Sequence, residues 1–183
     1  LTLGTCHGGA IIQYLAGSSE VNIKDDLKVV GIMNQGGPQA LIAKPGAPYT
    51  NLTELAEYIK ANPGDVVVGC SLGGTTQVLF TSLIEELTGD ANSVNYVQCS
   101  SEADKLTNVA AGSIDIANCS IPNAVSYDAD GKLTILGSIG PKVATLENMS
   151  ELVGTELDKK FATTQEQNVG ATWDSNYYVV APK

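Results

Sequence analysis

At 183 residues the chain has room for a sizeable core, in one domain or in two small ones. Its 20 acidic side chains outnumber ten basic ones, all lysine, and a net charge of −10 with no basic cluster argues against nucleic-acid binding, which needs cationic neutralisation of phosphate. The absence of arginine also rules out a bidentate guanidinium grip on a carboxylate, so any bound anion must be held by backbone N–H groups, hydroxyls, amides or a lysine.

Residues 1–3 read as a short strand. Gly4-Thr5-Cys6-His7-Gly8-Gly9 follows as a turn, and Ala10 to Leu15 as a helix that stops at Gly17. Residues 27–33 and 40–43 read as strands separated by the turn Gln35-Gly36-Gly37-Pro38. Pro45-Gly46-Ala47-Pro48 is a boundary signal. Asn51 then caps a helix with Glu54 in capping-box position, and Leu52, Leu55, Ala56 and Ile59 form its buried stripe up to Asn62-Pro63-Gly64.

The stretch from Val66 organises the rest. Val66-Val67-Val68 has the β-branched character of a buried strand, Gly69-Cys70-Ser71-Leu72-Gly73-Gly74 the glycines of a turn, and Leu79, Phe80, Leu83, Ile84 and Leu87 the stripe of a core-facing helix that stops at Gly89. A turn that opens a helix leaves N–H groups free at the positive end of the helix dipole, an arrangement suited to an anion. No lysine follows Gly74 as in a P-loop and the GxGxxG spacing is absent, so a small carboxylate suits the turn better than a polyphosphate. Gly74 is expected to need positive φ and close backbone approach to the ligand, which a β-branched residue would obstruct. The plain alternative is that these glycines only make a tight strand-to-helix connection.

Strand and helix patterns go on alternating. Residues 94–98, 114–117 and 133–139 read as strands and 102–110 as a helix stopped by Gly112. Pro122 opens a short helical turn, and Asp130-Gly131 makes a turn. Residues 147–168 are polar and weakly helical, and 176–181 form a closing strand. The order predicts an α/β fold: a three-layer, mainly parallel sheet with ligands outside the carboxyl ends of its strands. Those ends carry Cys70-Ser71, Cys99-Ser100-Ser101 and Cys119-Ser120. They are uncharged and rich in hydroxyl and thiol groups, although Ser at such positions also serves as a helix cap.

Cys6, Cys70, Cys99 and Cys119 show no CxxC or zinc spacing, and with His7 the lone histidine no metal site and no cofactor are expected. No apolar run reaches membrane-spanning length, and no signal-peptide pattern precedes the first strand.

Leu41-Ile42-Ala43-Lys44-Pro45, Thr53-Glu54-Leu55, Lys60-Ala61-Asn62-Pro63-Gly64, Gly69-Cys70-Ser71-Leu72-Gly73-Gly74-Thr75-Thr76, Ala111-Gly112-Ser113-Ile114-Asp115 and Asp130-Gly131-Lys132-Leu133 occur in this order. Together they resemble the receptors of tripartite tricarboxylate transporters, the Bug-type extracytoplasmic solute-binding proteins.

The resemblance implies a type II periplasmic-binding-protein-like lobe carrying partial strands of the other lobe. Residues 1–43 would be partial first lobe and crossover strand, 44–172 the second α/β lobe, and 173–183 the return crossover. It also implies a receptor rather than an enzyme. Such a receptor is periplasmic or lipid-anchored at the cell surface, captures a small organic carboxylate and delivers it to a membrane permease. Thr5, Cys6, Cys70, Ser71, Gly73, Gly74, Thr75, Thr76, Cys99, Cys119 and Ser120 would line the cleft. The family commonly has an aromatic where Cys99 stands and an acid where Cys119 stands, and its members are longer, so this chain reads as a fragment.

Two other readings compete. In the first, the chain is a cysteine-dependent α/β hydrolytic enzyme, since Cys6 adjoins His7 and Cys70 precedes a helix N-terminus, which lowers a thiol pKa. In the second it is a non-binding interaction fragment that dimerises through unpaired sheet edges. Cys99 and Cys119, at the ends of strands joined by one helix, are either a disulfide between neighbouring strands or free thiols that enlarge the pocket.

Overall fold

A computed structural model describes residues 2–7, 9–34, 38–139 and 177–183, arranged around two sheets. Strands β1 (Gly4–His7), β2 (Leu27–Asn34) and β8 (Tyr177–Pro182) form a three-stranded sheet in the order β1-β8-β2, and β8 runs antiparallel to both neighbours. Helices α1 (Gly9–Leu15) and α2 (Ile23–Asp26) accompany it.

The larger sheet contains β3 (Gln39–Ala43), β4 (Val67–Cys70), β5 (Asn95–Gln98), β6 (Ile116–Ser120) and β7 (Thr134–Ile139) in the order β5-β4-β6-β3-β7. Strand β4 is parallel to β5 and β6, whereas β3 is antiparallel to β6 and β7, so the α/β sheet is mixed, with one reversed strand among four of common direction. Strand β3, expected as a crossover, is thus hydrogen-bonded on both edges within this sheet.

Helices α3 (Leu52–Ala61) and α4 (Thr75–Thr88) cover one face, and α5 (Glu102–Ala110) and α6 (Ile121–Ala129) the other. The period-two alternation of β3 builds both cores: Leu41 and Ala43 pack toward α3 and α4, and Ala40 and Ile42 toward α5 and α6. The first core holds Leu52, Leu55, Ile59, Phe80, Leu83 and Ile84, each at most 1% exposed, and burying one such side chain stabilises the fold by about 1.5–3 kcal/mol.

Local signals account for most element boundaries. Asn51 accepts the Glu54 N–H at 2.8 Å, while the Glu54 carboxylate reaches back to the N–H and hydroxyl of Thr50 rather than to Asn51 N–H, a capping box displaced by one residue. Ser101 caps α5, and Gly89 ends α4 in the left-handed conformation at φ 84°.

Several boundaries differ from expectation. The first strand occupies residues read as a turn, so Cys6 and His7 are strand residues, and β4 runs on to Cys70. Pro122 lies inside a nine-residue helix rather than a single turn. Residues 35–37 of the turn read at 35–38, and the helix read at 147–168, fall outside the described residues.

The strand order explains the cysteines. The connection β5-α5-β6 passes over β4, so Cys99 and Cys119 stand two strands apart, about 9–10 Å at ordinary sheet spacing and beyond disulfide reach. All four thiols are free.

Candidate functional site

The turn between β4 and α4 lies at the carboxyl end of β4, where the chain first goes out to β5 and then back across to β6. In open α/β sheets this reversal of direction opens the crevice that receives ligands. Facing it is the junction of β1 and α1. Between the two is a cleft of about 410 Å³ lined by Cys6, His7, Gly9, Ala10 and Gln13 on one side and Ser71, Gly74, Thr75 and Thr76 on the other.

Of the residues read as candidates, Cys6, Ser71, Gly74, Thr75 and Thr76 border this cleft. Thr5 is exposed on β1 and is no part of the lining. Cys70 is fully buried because β4 extends far enough to turn its thiol into the α3–α4 core. Cys99 and Cys119, 2% and 1% exposed, pack into the α5–α6 core. Ser120 donates its hydroxyl to Glu102 at 2.7 Å and so serves the start of α5. The three strand ends that looked like one polar rim therefore contribute only Ser71 to the cleft.

The glycines divide their work differently from expectation. Gly73 is the residue with positive φ, at 71°, whereas Gly74 has φ −105°, which any residue adopts. Gly74 is instead sterically confined: a Cβ there would lie 3.2 Å from the Ser71 carbonyl oxygen and 3.3 Å from the Ser71 Cβ.

The turn also uses most of its own donors. Leu72 N–H donates to the Gln98 amide oxygen at 2.8 Å, Gly73 N–H to the Gln77 amide oxygen at 2.7 Å, and Gly74 N–H to the Ser71 carbonyl at 3.1 Å. The first-turn N–H groups of Thr75 and Thr76 have no acceptor among the described residues, and these two residues line the cleft. The donors offered to an anion are those of the helix start and its hydroxyls.

Gly9, Ala10 and Gln13 carried no sequence signal for the site beyond their place beside a glycine turn, and His7 was singled out only as the neighbour of Cys6. His7 Nδ1 accepts the Gly9 N–H at 3.0 Å, which places the ring proton of neutral His7 on Nε2. Cys6 and His7 both border the cleft, but no hydrogen bond joins them among the described residues.

Burial pushes the Cys70 thiol up to about 11, opposed by the nearby Lys105 ammonium, so the lowering expected from a helix N-terminus is overridden. A thiol that is buried and protonated at neutral pH is a poor nucleophile, which removes the main support for a cysteine enzyme. Lys105, 8% exposed, is itself held below the usual lysine range by burial, and its ammonium donates to Asn118 Oδ1 at 2.7 Å. No cluster of His, Cys, Asp and Glu suited to a metal occurs among the described residues.

A helix N-terminus at a sheet reversal, facing β1 and α1 of a second sheet across a cleft, is consistent with a lobe of the periplasmic-binding-protein type. Residues 12–162 match the family described as tripartite tricarboxylate transporter family receptor, and the chain belongs to that family. It is 30% identical over 137 residues to a UPF0065 protein of Bordetella pertussis, a match covering 75% of this chain and 41% of that protein.

Solved structures share the fold. MatC of Rhodopseudomonas palustris, with bound malate, matches at TM-score 0.64 and 20% identity over 99% of this chain and 58% of its own. R. palustris Rpa4515, with adipate, matches at 0.65 and 21% over 89% and 50%. The periplasmic binding protein BugD matches at 0.67 and 18% over 99% and 56%. The chain thus spans about half the length of the relatives it matches. No helix among the described residues is long and apolar enough to cross a membrane.

Proposed function

We propose that the chain is the ligand-holding part of an extracytoplasmic receptor, periplasmic or lipid-anchored at the cell surface. It would capture a small organic carboxylate and hand it to a membrane permease without chemistry or cofactor. The observation that carries this reading is the pair of unclaimed N–H groups at the start of α4, on Thr75 and Thr76, in a cleft that Ser71 also lines, its hydroxyl donating to the Cys99 carbonyl at 3.5 Å. Charge-assisted hydrogen bonds from N–H groups at a positive helix end favour a carboxylate over a neutral ligand, which suits a chain without arginine.

The relatives solved with malate and adipate point to dicarboxylates as the first probes. Residues 1–34 and 173–183 would belong to the first lobe and its return crossover, and 39–172, with β3 inside the larger sheet, to the second. Calorimetry with malate and adipate, against the corresponding diamides, tests the reading. We expect heat from the acids and none from the diamides. Equal affinity for acid and diamide would refute a carboxylate site.

A second reading, an interaction fragment that self-associates, draws on one observation. Val30, Ile32 and Met33 on β2 are 59%, 67% and 55% exposed. Contiguous exposed apolar surface on a sheet favours association. Light scattering across a dilution series separates the two: a constant monomer mass counts against association.

A further inference from the structure

The two glutamine amides behind the turn have a role that a tight strand-to-helix connection does not require. Gln77 sits at the third position of α4, where a capping-box residue would stand, and accepts from Gly73 N–H. Gln98 comes from the end of β5, the neighbouring strand, and accepts from Leu72 N–H. Its other amide end donates to the Ser100 hydroxyl at 3.3 Å, and the Leu72 N–H, which can only donate, requires the amide oxygen to face the turn. Neither glutamine lines the cleft. Both hold the turn from outside the ligand space.

The chemistry of the acceptor matters. A carboxylate would accept these N–H groups more strongly and suit a helix N-terminus better. It would also place a negative charge beside the donors reserved for an anion. An amide oxygen satisfies the turn and leaves the potential at Thr75 and Thr76 positive.

We propose that Gln98 and Gln77 are the positioning residues of the anion site: neutral acceptors that lock the turn so that the N–H groups of Thr75 and Thr76 face the cleft uncompensated. The affinity consequence rests on the carboxylate-receptor reading, whereas the locking does not.

The test uses Gln98→Met, which removes the acceptor at similar length, and Gln98→Glu, which keeps an acceptor oxygen and adds charge. Gln77→Met, read at Gly73, repeats it from the helix side. Amide exchange and chemical shifts are recorded by NMR, unfolding midpoints by urea, and affinity with malate as the probe.

Locking predicts that Gln98→Met loses exchange protection at Leu72 and shifts the Thr75 and Thr76 amides, with an unfolding midpoint close to the parent's. Malate should bind about three- to tenfold more weakly, the loss of one hydrogen bond's worth of organisation. Gln98→Glu should restore protection at Leu72 yet bind malate more weakly than the parent, by a factor that shrinks as salt is raised.

Unchanged protection at Leu72 in Gln98→Met overturns the proposal. So does lost protection with Thr75 and Thr76 amides and malate affinity like the parent's, or with only the unfolding midpoint lowered. If the parent takes up no malate, the carboxylate reading fails on that probe, and the positioning proposal is decided by Leu72 exchange and the Thr75 and Thr76 shifts alone.

Discussion

Gly9 and Thr75 approach each other so closely across the cleft that a methyl group on Gly9 would stand 2.8 Å from Thr75 Oγ1, and 3.0 Å from His7 Nδ1. Real Cβ atoms essentially never come that near another heavy atom, so the two sides of the cleft meet here only because Gly9 has no side chain. Gly9→Ala should therefore push the β1–α1 junction away from α4. We expect weaker malate binding with an unfolding midpoint near the parent's, since Gly9 lies outside both cores. Binding and Thr75 amide shifts identical to the parent's would show that the approach has no functional weight.

The two glycines of the turn should respond differently to substitution. Gly73→Ala forces a Cβ into left-handed backbone and should cost about 1–2 kcal/mol of stability. Gly74→Val meets no such strain but crowds Ser71, so it should weaken ligand binding while the lobe keeps its unfolding midpoint. Urea titration and calorimetry on the two variants check the contrast.

Thr75→Ala and Thr76→Ala each remove a hydroxyl beside the free N–H pair. A neutral hydrogen bond contributes about 0.5–1.5 kcal/mol, so each variant should lose roughly two- to tenfold in affinity. If both bind like the parent, the hydroxyls face away from the ligand and the backbone acts alone.

Legibility in the sequence followed the range of the interactions. Helix α5 could be placed to the residue because its start and stop are written locally, in Ser101 and in Gly112 at φ 73°. The stripe of α4 was equally plain. Cys70 was misplaced because the turn's glycine at Gly69 is a strand residue: a Cβ there would collide with Ile114 Cδ1 and lie 3.1 Å from Cys99 Sγ, so Gly69 serves packing between β4 and the α5 side. Nothing in residues 69–74 alone announces that contact. The grip of Gln98 on Leu72, 26 positions away, and the meeting of Gly9 with Thr75 are equally products of the tertiary fold.

The buried thiols make stability fall in alkali. Burial raises the Cys70 thiol to about 11 and the Cys119 thiol to about 12, from an ordinary value of 9.0. The unfolded chain gives up these protons near pH 9 while the folded chain keeps them. Their contribution is therefore complete below about pH 9 and lost as pH rises through about 11 to 12. Lys105, lowered by burial, acts in the opposite sense, because the folded state loses its proton first. Cys99, also raised by burial, acts in the same sense as Cys70 and Cys119. Urea unfolding at pH 8 and pH 10.5 should show a smaller alkaline loss for Cys119→Ala than for the parent. At pH 7, a thiol reagent should modify half-buried Cys6 fast and the other three only on unfolding, with four free thiols in the denatured, unreduced chain.

The central claim is that a carboxylate docks on the N–H groups at the start of α4. Titrating malate into isotopically labelled protein and following backbone amides tests it most directly. We predict the largest shifts at Thr75 and Thr76, with smaller ones at Ser71 and Gly9, and none when the diamide replaces the acid. Saturable shifts confined to other residues, with Thr75 and Thr76 unmoved, would contradict it.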